Sequence, residues 1–297
     1  MKIRANGIDI EVEDSGPGAV GENRPAVLLI MGLGMQLVAW PPQMVQALLD
    51  AGYRVIRHDN RDVGLSQHMD ALGKPHLIWQ SIRFKMGLRP RSLYSLADMA
   101  KDALGVLDAL GVVSAHVVGV SMGGMIAQHM AIQAPQRLLT LTSVMSSSGA
   151  KGLPHASPEV VRVMLRRPDG RNPTAVLDYY VKLFTVIGSP AFPVPLPELR
   201  ERLALGMQRG FYPEGTHRQT LAVIADLDRA DQLAGIRTPT LVLHGKADPL
   251  VPFVCGEDTA RRIPGAKMVG IEGMGHDLPP GVVNLLLQAL VPHLKST

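Results

Sequence analysis

A serine between glycines, Ser121, stands where an apolar stretch of the chain ends. The surrounding residues, Gly119-Val120-Ser121-Met122-Gly123, fit the spacing G-x-S-x-G. In that spacing a serine can sit on a sharp strand-to-helix turn, which exposes its hydroxyl as a nucleophile for acyl transfer. The pattern also arises by chance, and a glycine-rich packing turn is the alternative. The context favours the nucleophile, because the strand-like AHVVGV precedes Ser121 and a helix-like pattern follows it.

A serine hydroxyl is a poor nucleophile at neutral pH and needs a histidine as general base. For a serine on such a turn, the chain order is serine, then carboxylate, then histidine. Ten histidines occur; seven of them precede residue 240, and the other three are His244, His276 and His293. His244 falls within or at the end of an apolar strand and His293 near the end of a helix, whereas His276 lies in the glycine-rich GMGHDLP. We therefore predict His276 as the base; a surface loop histidine is the alternative.

The histidine base in turn needs a carboxylate that fixes its tautomer and orientation. Asp248, in HGKADPLVP, follows the apolar TLVLHG and is expected at the carboxyl end of a parallel strand. After the other candidate strand, LLTLTSVM, no carboxylate occurs before Glu159. Asp248 is therefore the predicted acid, with an ordinary Asp-Pro turn as the alternative. Asp277 ranks below it, because neighbouring loop residues such as Asp277 and His276 rarely aim at each other's side chains.

Acyl transfer also needs N–H donors for the oxyanion that develops on the attacked carbonyl, usually two backbone groups. Met122 is predicted to supply one at the start of a helix, where N–H groups are unpaired. Leu33 is predicted to supply the other, because it lies between Gly32 and Gly34 in the loop MGLGM. A simple glycine turn is the alternative for this loop.

Apolar and flexible residues surround these positions in the sequence. Gly32, Met35 and Met125 are the candidate substrate contacts, and methionine adapts to irregular apolar shapes. They favour a small to medium, mainly apolar substrate. The alternative is that these methionines belong to the core.

Alternating strand and helix signals provide the frame that must position the candidate residues. Two short strands are predicted around the turn Asn6-Gly7. Apolar strands at 26–32 and 53–59 flank a helix at about 40–51. A strand–helix–strand unit of this kind builds a parallel sheet.

The connection after residue 59 is unusually long, at about 35 residues. Ile78, Ile82 and Met86 have the spacing of a short helix within it. Ser95 and Asp98 then form a predicted capping box for an amphipathic helix. A connection of this length is uncommon unless it shapes a site.

Strand signals vanish from about residue 146 to 220, where helical segments alternate with the proline-rich SPAFPVPLPEL. They return in TLVLHG and KMVGI, and VVNLLLQALVPHL forms a final helix. We therefore predict an α/β fold, with a mostly parallel central sheet flanked by helices and an inserted helical cap. The predicted division is 1–145 for the N-terminal part of the core, 146–222 for the cap and 223–297 for the C-terminal part of the core.

The composition, with 46% hydrophobic and 19% charged residues among 297, fits a compact globular chain. The single Cys255 cannot form an intrachain disulfide, and no Cys/His spacing indicates a metal site. The sequence has no apolar signal core and no apolar run of about 18 residues, so we expect a cytoplasmic protein without membrane insertion. The net charge is +4, but the basic groups at 83–91 and 162–171 are interpreted as solvated faces, because neither has the motif context of a nucleic-acid site. Nucleic-acid binding is therefore not expected.

In its motifs the chain resembles the α/β-hydrolase superfamily, in the lidded branch of serine esterases and lipases, over nearly its whole length. The motifs are MGLGM (31–35), RHDNRDVGLS (57–66), GVSMGG (119–124), HGKADPLVP (244–252) and GMGH (273–276). The general pattern is also similar to bacterial carboxylesterases and to methylesterases that act on polyketide esters. The resemblance implies that RHDNRDVGLS orders the site region and does not react. Met31 stands where many members have histidine, so the hydrogen-bonded support of the oxyanion loop is expected to differ.

These observations predict a serine hydrolase that cleaves carboxylic esters through an acyl-enzyme, without a metal or an organic cofactor. The expected partner is a small-molecule ester, and the sequence is compatible with a homo-oligomer. A lactonase, a C–C bond hydrolase or a perhydrolase can use the same Ser121, Asp248 and His276. A non-catalytic ligand-binding receptor on the same fold is a further alternative. Dehalogenases and epoxide hydrolases of the superfamily use an aspartate nucleophile, and Ser121 argues against both.

Overall fold

A central sheet of eight strands organises the part of the chain that the computed structural model describes. The described residues are 1–16, 24–74, 79–80, 83, 86, 88–166, 168 and 172–296. Elements are numbered along these residues. The strands are β1 (Lys2–Ala5), β2 (Ile8–Asp14), β3 (Ala26–Ile30), β4 (Arg54–His58), β5 (Ala115–Val120), β6 (Leu138–Val144), β7 (Thr240–Gly245) and β8 (Lys267–Ile271).

Helices connect most of the strands. They are α1 (Pro42–Asp50), α2 (Leu96–Ala109), α3 (Met122–Gln133), α4 (Pro158–Met164), α5 (Pro173–Ile187), α6 (Leu196–Gly210), α7 (Pro213–Ala225), the single turn α8 (Arg229–Gln232), α9 (Phe253–Arg262) and α10 (Pro280–Leu294).

The strand order across the sheet is β1-β2-β4-β3-β5-β6-β7-β8. The two pairings of β2, with β1 and with β4, are antiparallel, and all the others are parallel. The carboxyl ends of β3, β5, β7 and β8 therefore lie along one edge of the sheet. Loops that carry binding and catalytic groups gather at this edge in open parallel sheets.

Both faces of the sheet are covered, which explains the uninterrupted apolar runs of β3 and β5. On one face the core includes Leu107 from α2 and Ile126 from α3. On the other face it includes Met44 from α1 and Leu286 from α10. The sheet and these helices fix the strand ends that carry the candidate residues.

Local sequence signals account for several element boundaries. Asn6 and Gly7 both have positive φ, 47° and 78°, as the predicted two-residue hairpin turn requires. The predicted capping box is also formed, because the Ser95 and Asp98 side chains each bond the other residue's backbone N–H. The short helix predicted from 78, 82 and 86 rests on two positions, 78 and 82, that lie outside the described residues.

Five helices of the described residues, α4 to α8, lie between β6 and β7 in the chain, and α4 to α7 begin in the stretch where the sequence predicts a cap. The division at 146 and 222 stays a prediction, and α7 crosses the second position because it continues to Ala225. We call α4 to α7 the cap helices. Among the helices of the described residues, none combines the length and the apolar character that spanning a membrane demands.

Candidate active site

Ser121 lies at the junction of β5 and α3, in a backbone conformation that only a constrained turn imposes. Its φ and ψ are 55° and −120°, in a region that residues with side chains rarely adopt. Two hydrogen bonds hold the turn: Ser121 N–H donates to the Val144 carbonyl at 2.9 Å, and the Ser146 hydroxyl donates to the Ser121 carbonyl at 2.7 Å. The strained turn predicted from G-x-S-x-G is therefore present.

The two glycines of the motif are required by close approach of backbone to backbone. A Cβ on Gly119 would lie 2.1 Å from the Gly123 carbonyl oxygen, and a Cβ on Gly123 would lie 2.1 Å from the Ile30 carbonyl oxygen. Real Cβ atoms do not come this close to backbone. Glycine at both positions therefore lets α3 start directly against β3 and β5.

His276 and Asp248 complete a chain of hydrogen bonds that starts at Ser121. His276 Nε2 lies 3.0 Å from Ser121 Oγ, and His276 Nδ1 lies 2.7 Å from Asp248 Oδ2. A carboxylate only accepts, so Nδ1 carries the proton and donates it, which leaves Nε2 of the neutral ring to accept from the serine hydroxyl. The three predicted residues thus come together in the geometry of a serine nucleophile, its base and the carboxylate that orients the base.

Asp248 is held in an environment that keeps its carboxylate charged. Burial alone would raise the pKa of the Asp248 carboxyl. The charge of the neighbouring His276 and hydrogen bonds from His244, His276 and the Val251 N–H outweigh burial, so the pKa lies well below the usual range. Oδ1 accepts from the N–H groups of Leu250 at 2.9 Å and Val251 at 2.8 Å. A charged acid at this position favours the imidazolium that forms when His276 takes a proton.

Asp277, the lower-ranked acid, is engaged elsewhere. Its Oδ1 accepts from the Ser189 N–H at 3.0 Å and from the Ser189 hydroxyl at 2.5 Å. The Ser189 hydroxyl accepts from Gly275 N–H at 2.9 Å, and the His276 N–H donates to the Ile187 carbonyl at 2.7 Å. The end of α5 and the segment that follows it therefore anchor the histidine loop, a contact that no sequence pattern indicates.

The loop after β3 lies against the serine, as predicted. A Cβ on Gly32 would be 3.2 Å from Ser121 Cβ, which places this backbone beside the nucleophile. Among the described residues, no acceptor is hydrogen-bonded to Leu33 N–H. Met122 is the first residue of α3, where N–H groups lack partners within the helix. Leu33 and Met122 therefore remain the predicted oxyanion donors.

Two side-chain amides support this loop. The sequence did not indicate either contact. Asn60 Nδ2 donates to the Met31 carbonyl at 3.0 Å. Gln219 of α7 accepts from Gly34 N–H at 2.8 Å through Oε1. The Met31 side chain is only 4% exposed and packs in the core. The support that the resemblance assigns to a histidine at position 31 thus comes here from amides on other elements.

The loop after β4 orders the site region through its charged residues, each of which pairs with a different helix. The pairs are Asp59 with Arg209 of α6 at 2.6 Å, Arg61 with Asp102 of α2 at 2.6 Å, and Asp62 with Arg218 of α7 at 2.8 Å. Two of the three pairs join the core to the cap helices. The resemblance of RHDNRDVGLS to the family's loop predicts this ordering role, but it does not predict the three pairs.

The predicted substrate contacts differ in their surroundings. Gly32 lies beside Ser121, and Met35 is partly buried and packs against the core. Met125 is 9% exposed and belongs to the core between the sheet and α2. Substrate contact by Gly32, Met35 and Met125 stays a prediction. Within the described ranges, no three His, Cys, Asp or Glu side chains cluster as metal ligands would.

Comparisons with known proteins show the family to which the chain belongs. A family model described as the alpha/beta hydrolase fold matches residues 25–279. The rhodomycin D methylesterase DauP of Streptomyces sp. (strain C5) is 33% identical over 291 residues, covering 91% of each chain. The rhodomycin D methylesterase DnrP of Streptomyces peucetius is 32% identical over the same length, also covering 91% of each chain.

A solved structure shows the same fold at low sequence identity. The meta-cleavage product hydrolase CumD from Pseudomonas fluorescens IP01 superposes with a TM-score of 0.74 at 20% identity, covering 99% of this chain and 97% of that one. The strand order and the strained serine turn are both consistent with the family match, which covers most of the chain. The chain is a hydrolase that belongs to the α/β-hydrolase fold family.

Proposed function

We propose that this protein is a serine carboxylesterase that hydrolyses small to medium, mainly apolar esters through an acyl-enzyme. The observation that carries the proposal is the continuous path of hydrogen bonds from Ser121 Oγ through His276 to Asp248. The hydroxyl sits on a strained turn beside a loop whose Leu33 N–H has no hydrogen-bond acceptor in the part of the chain that the structure describes. These are the parts that acyl transfer requires.

The reaction follows from this geometry in two halves. Ser121 Oγ attacks the ester carbonyl carbon while His276 Nε2 takes the hydroxyl proton, and the Leu33 and Met122 N–H groups bind the oxyanion. The tetrahedral intermediate collapses, its C–O bond breaks, and His276 returns the proton to the leaving alkoxide. A water then attacks the acyl-enzyme with His276 again as base, which releases the carboxylic acid and restores Ser121.

Two relatives with more than 30% sequence identity support an ester as the substrate. DauP and DnrP carry the name rhodomycin D methylesterase and cover 91% of this chain. A methyl ester is therefore the first substrate form to test. Lactone, C–C bond and peracid chemistry stay the alternatives, since the same triad supports them. The cap and the cytoplasmic location also stay proposals.

The test is hydrolysis together with covalent labelling. A panel of methyl and p-nitrophenyl esters of graded acyl length, an enol-lactone, a vinylogous diketone and peracid formation from acetate separates the activities. A fluorophosphonate should label Ser121, as mapped by mass spectrometry. Ser121→Ala should lose about 10,000-fold or more in kcat with its fold retained. Labelling at another residue, or parental rates in Ser121→Ala, sinks the proposal.

A matched control exists for the base. His129 pairs with Asp226 at 2.8 Å, so the chain contains a second His–Asp pair without a serine nucleophile on it. His276→Gln should lose nearly all activity, because no base then takes the Ser121 proton. His129→Gln should keep the parental rate within about threefold, provided that circular dichroism shows it folded. Equal losses in the two variants contradict the assignment of His276.

A further inference from the structure

The peptide that joins Gly32 to Leu33 is oriented by a tight turn. Met35 N–H donates to the Gly32 carbonyl at 3.2 Å, which closes a turn over 32–35. In a trans peptide the carbonyl and the N–H point in opposite directions. Because the Gly32 carbonyl faces into the turn, the Leu33 N–H faces out of it, and Gly32 itself lies against Ser121. The direction of this N–H therefore depends on the turn keeping its form.

Cap helix α7 holds the third residue of that turn. Gly34 has φ of +68°, the conformation for which such a turn needs glycine. Its N–H donates to Gln219 Oε1 at 2.8 Å, and a Cβ on Gly34 would be 3.0 Å from Thr216 Oγ1. Thr216 and Gln219 lie three residues apart on α7 and so share one face of the helix. This face packs directly on the turn.

Both ends of the Gln219 amide are engaged. Nε2 donates to the Arg61 carbonyl at 2.8 Å, while Oε1 accepts from Gly34 N–H at the same distance. The residue is fully buried. A flipped amide would set its NH₂ against the Gly34 N–H and its oxygen against the Arg61 carbonyl, so this orientation is the only satisfied one. The amide thus bridges the loops that follow β3 and β4.

A second amide secures the preceding peptide from the core side. Asn60 Nδ2 donates to the Met31 carbonyl at 3.0 Å. The Gly32–Leu33 peptide therefore lies between two peptides that are each fixed by a side-chain hydrogen bond. Asn60 of the core loop bonds the preceding peptide, and Gln219 of the cap bonds the following one. Of the two supports, only Gln219 belongs to the cap helices.

We propose that Gln219 is a positioning residue for catalysis, which holds the turn so that Leu33 N–H faces the oxyanion, and that helix α7 thereby contributes this one residue to the catalytic machinery. The inference rests on the proposed esterase function. It differs from a substrate-binding role for the cap, because Gln219 is fully buried and both of its polar atoms bond backbone groups, one of them the Gly34 N–H beside the predicted oxyanion donor.

The test replaces Gln219 by methionine, which is similar in length but cannot form either hydrogen bond. A loosened turn misplaces one oxyanion donor, so kcat for a p-nitrophenyl ester should fall about 10- to 100-fold with KM changed less than about threefold. Binding of a boronic acid, whose serine adduct carries a tetrahedral anionic oxygen, should weaken by the same factor as kcat/KM. A residue that only stabilises the fold would leave both values unchanged in the folded fraction.

Thr220→Val is the matched control on the same helix. The Thr220 hydroxyl donates to the Thr216 carbonyl within α7 and not to the loop. This variant should keep kcat and boronic acid affinity within about twofold. If Gln219→Met does not fold, Gln219→Glu carries the test, because its carboxylate cannot donate to the Arg61 carbonyl, and kcat should fall at least about threefold at constant KM.

The outcomes separate this inference from the proposed function. Parental kcat in a folded Gln219 variant overturns the positioning role alone, and so does a loss that appears only in KM with boronic acid affinity unchanged. A parent protein that hydrolyses no ester and is not labelled at Ser121 overturns the proposed function, and the inference with it.

Discussion

Asp62 and Arg218 form a bidentate ion pair between the loop after β4 and cap helix α7. Arg218 Nε and Nη2 each donate to one oxygen of Asp62 at 2.8 Å, and the two side chains are 0% and 1% exposed. Asp62 has φ of +66°, a conformation that glycine adopts more easily. The pairing of the Asp62 carboxylate with Arg218 therefore offsets the backbone strain at this position.

Removing one partner of this pair should be costly. Arg218→Met leaves the Asp62 carboxylate buried without its cation, so the free energy of unfolding should fall by about 3–5 kcal/mol. The double variant with Asp62→Gly should recover much of that loss, since it removes the orphaned charge and the strain together. Urea unfolding measures both. Arg200→Met is the control, because Arg200 and Asp178 form an exposed pair whose loss should cost less than about 1 kcal/mol. Equal losses at 200 and 218 contradict the argument.

Close packing around the nucleophile yields a second prediction. Gly119→Ala and Gly123→Ala each put a Cβ about 2 Å from a backbone oxygen, so α3 must move away from the sheet. Both variants should be destabilised by more than about 3 kcal/mol or fail to fold, because overpacking against backbone cannot relax. Gly206→Ala is the contrast: it lies within α6 with open space around it and should stabilise the protein by up to about 1 kcal/mol. Thermal unfolding followed by circular dichroism distinguishes the three.

Features encoded by neighbouring residues were predictable from the sequence. The buried strands follow from apolar runs, the first hairpin from Asn6-Gly7 and the start of α2 from Ser95 and Asp98. The proximity of Ser121, Asp248 and His276 was predictable for a related reason. Each follows a parallel strand, and the carboxyl ends of parallel strands meet at one edge of the sheet.

Features that join distant residues through common side-chain types were not predictable. Gln219 bonds Gly34 across 185 residues of chain, and nothing distinguishes it in the sequence from other glutamines on helices. The bond between the His276 N–H and the Ile187 carbonyl uses backbone groups alone, which carry no sequence signal. The placement of the cap helices decides these contacts, and the sequence pattern predicts helices without predicting how they pack.

The two aspartates near His276 provide a third prediction. Asp248→Asn removes the charge that orients His276 and stabilises its protonated form, so kcat should fall about 100- to 10,000-fold. Asp277→Asn keeps a side-chain oxygen that can still accept from the Ser189 hydroxyl, so kcat should fall less than about tenfold. Steady-state hydrolysis of one p-nitrophenyl ester compares them. A larger loss for Asp277→Asn reverses the assignment of the acid.

A fourth prediction concerns the dependence of stability on pH. Burial lowers the pKa of His58 to about 4, and burial together with the nearby His293 lowers the pKa of His116 to about 4. An unfolded histidine titrates near pH 6.5, so between about 6.5 and 4 the unfolded chain binds protons that the folded chain does not. The contribution of each histidine to the free energy of unfolding is then complete above about pH 6.5. It is lost as the pH falls towards 4, and the free energy of unfolding decreases by about 1.4 kcal/mol per pH unit for each histidine.

Substitution of His58 tests this slope, because its ring is 1% exposed and neither nitrogen has a hydrogen-bond partner among the described residues. Urea unfolding at pH 7, 6 and 5 should give His58→Leu a slope smaller than that of the parent by about 1.4 kcal/mol per pH unit. Ile56→Val, at a buried position of the same strand, is the control. It should cost about 1 kcal/mol at every pH, because it removes a methyl group and no titrating site. If His58→Leu and the parent share one slope, the buried His58 does not make the folded protein acid-sensitive.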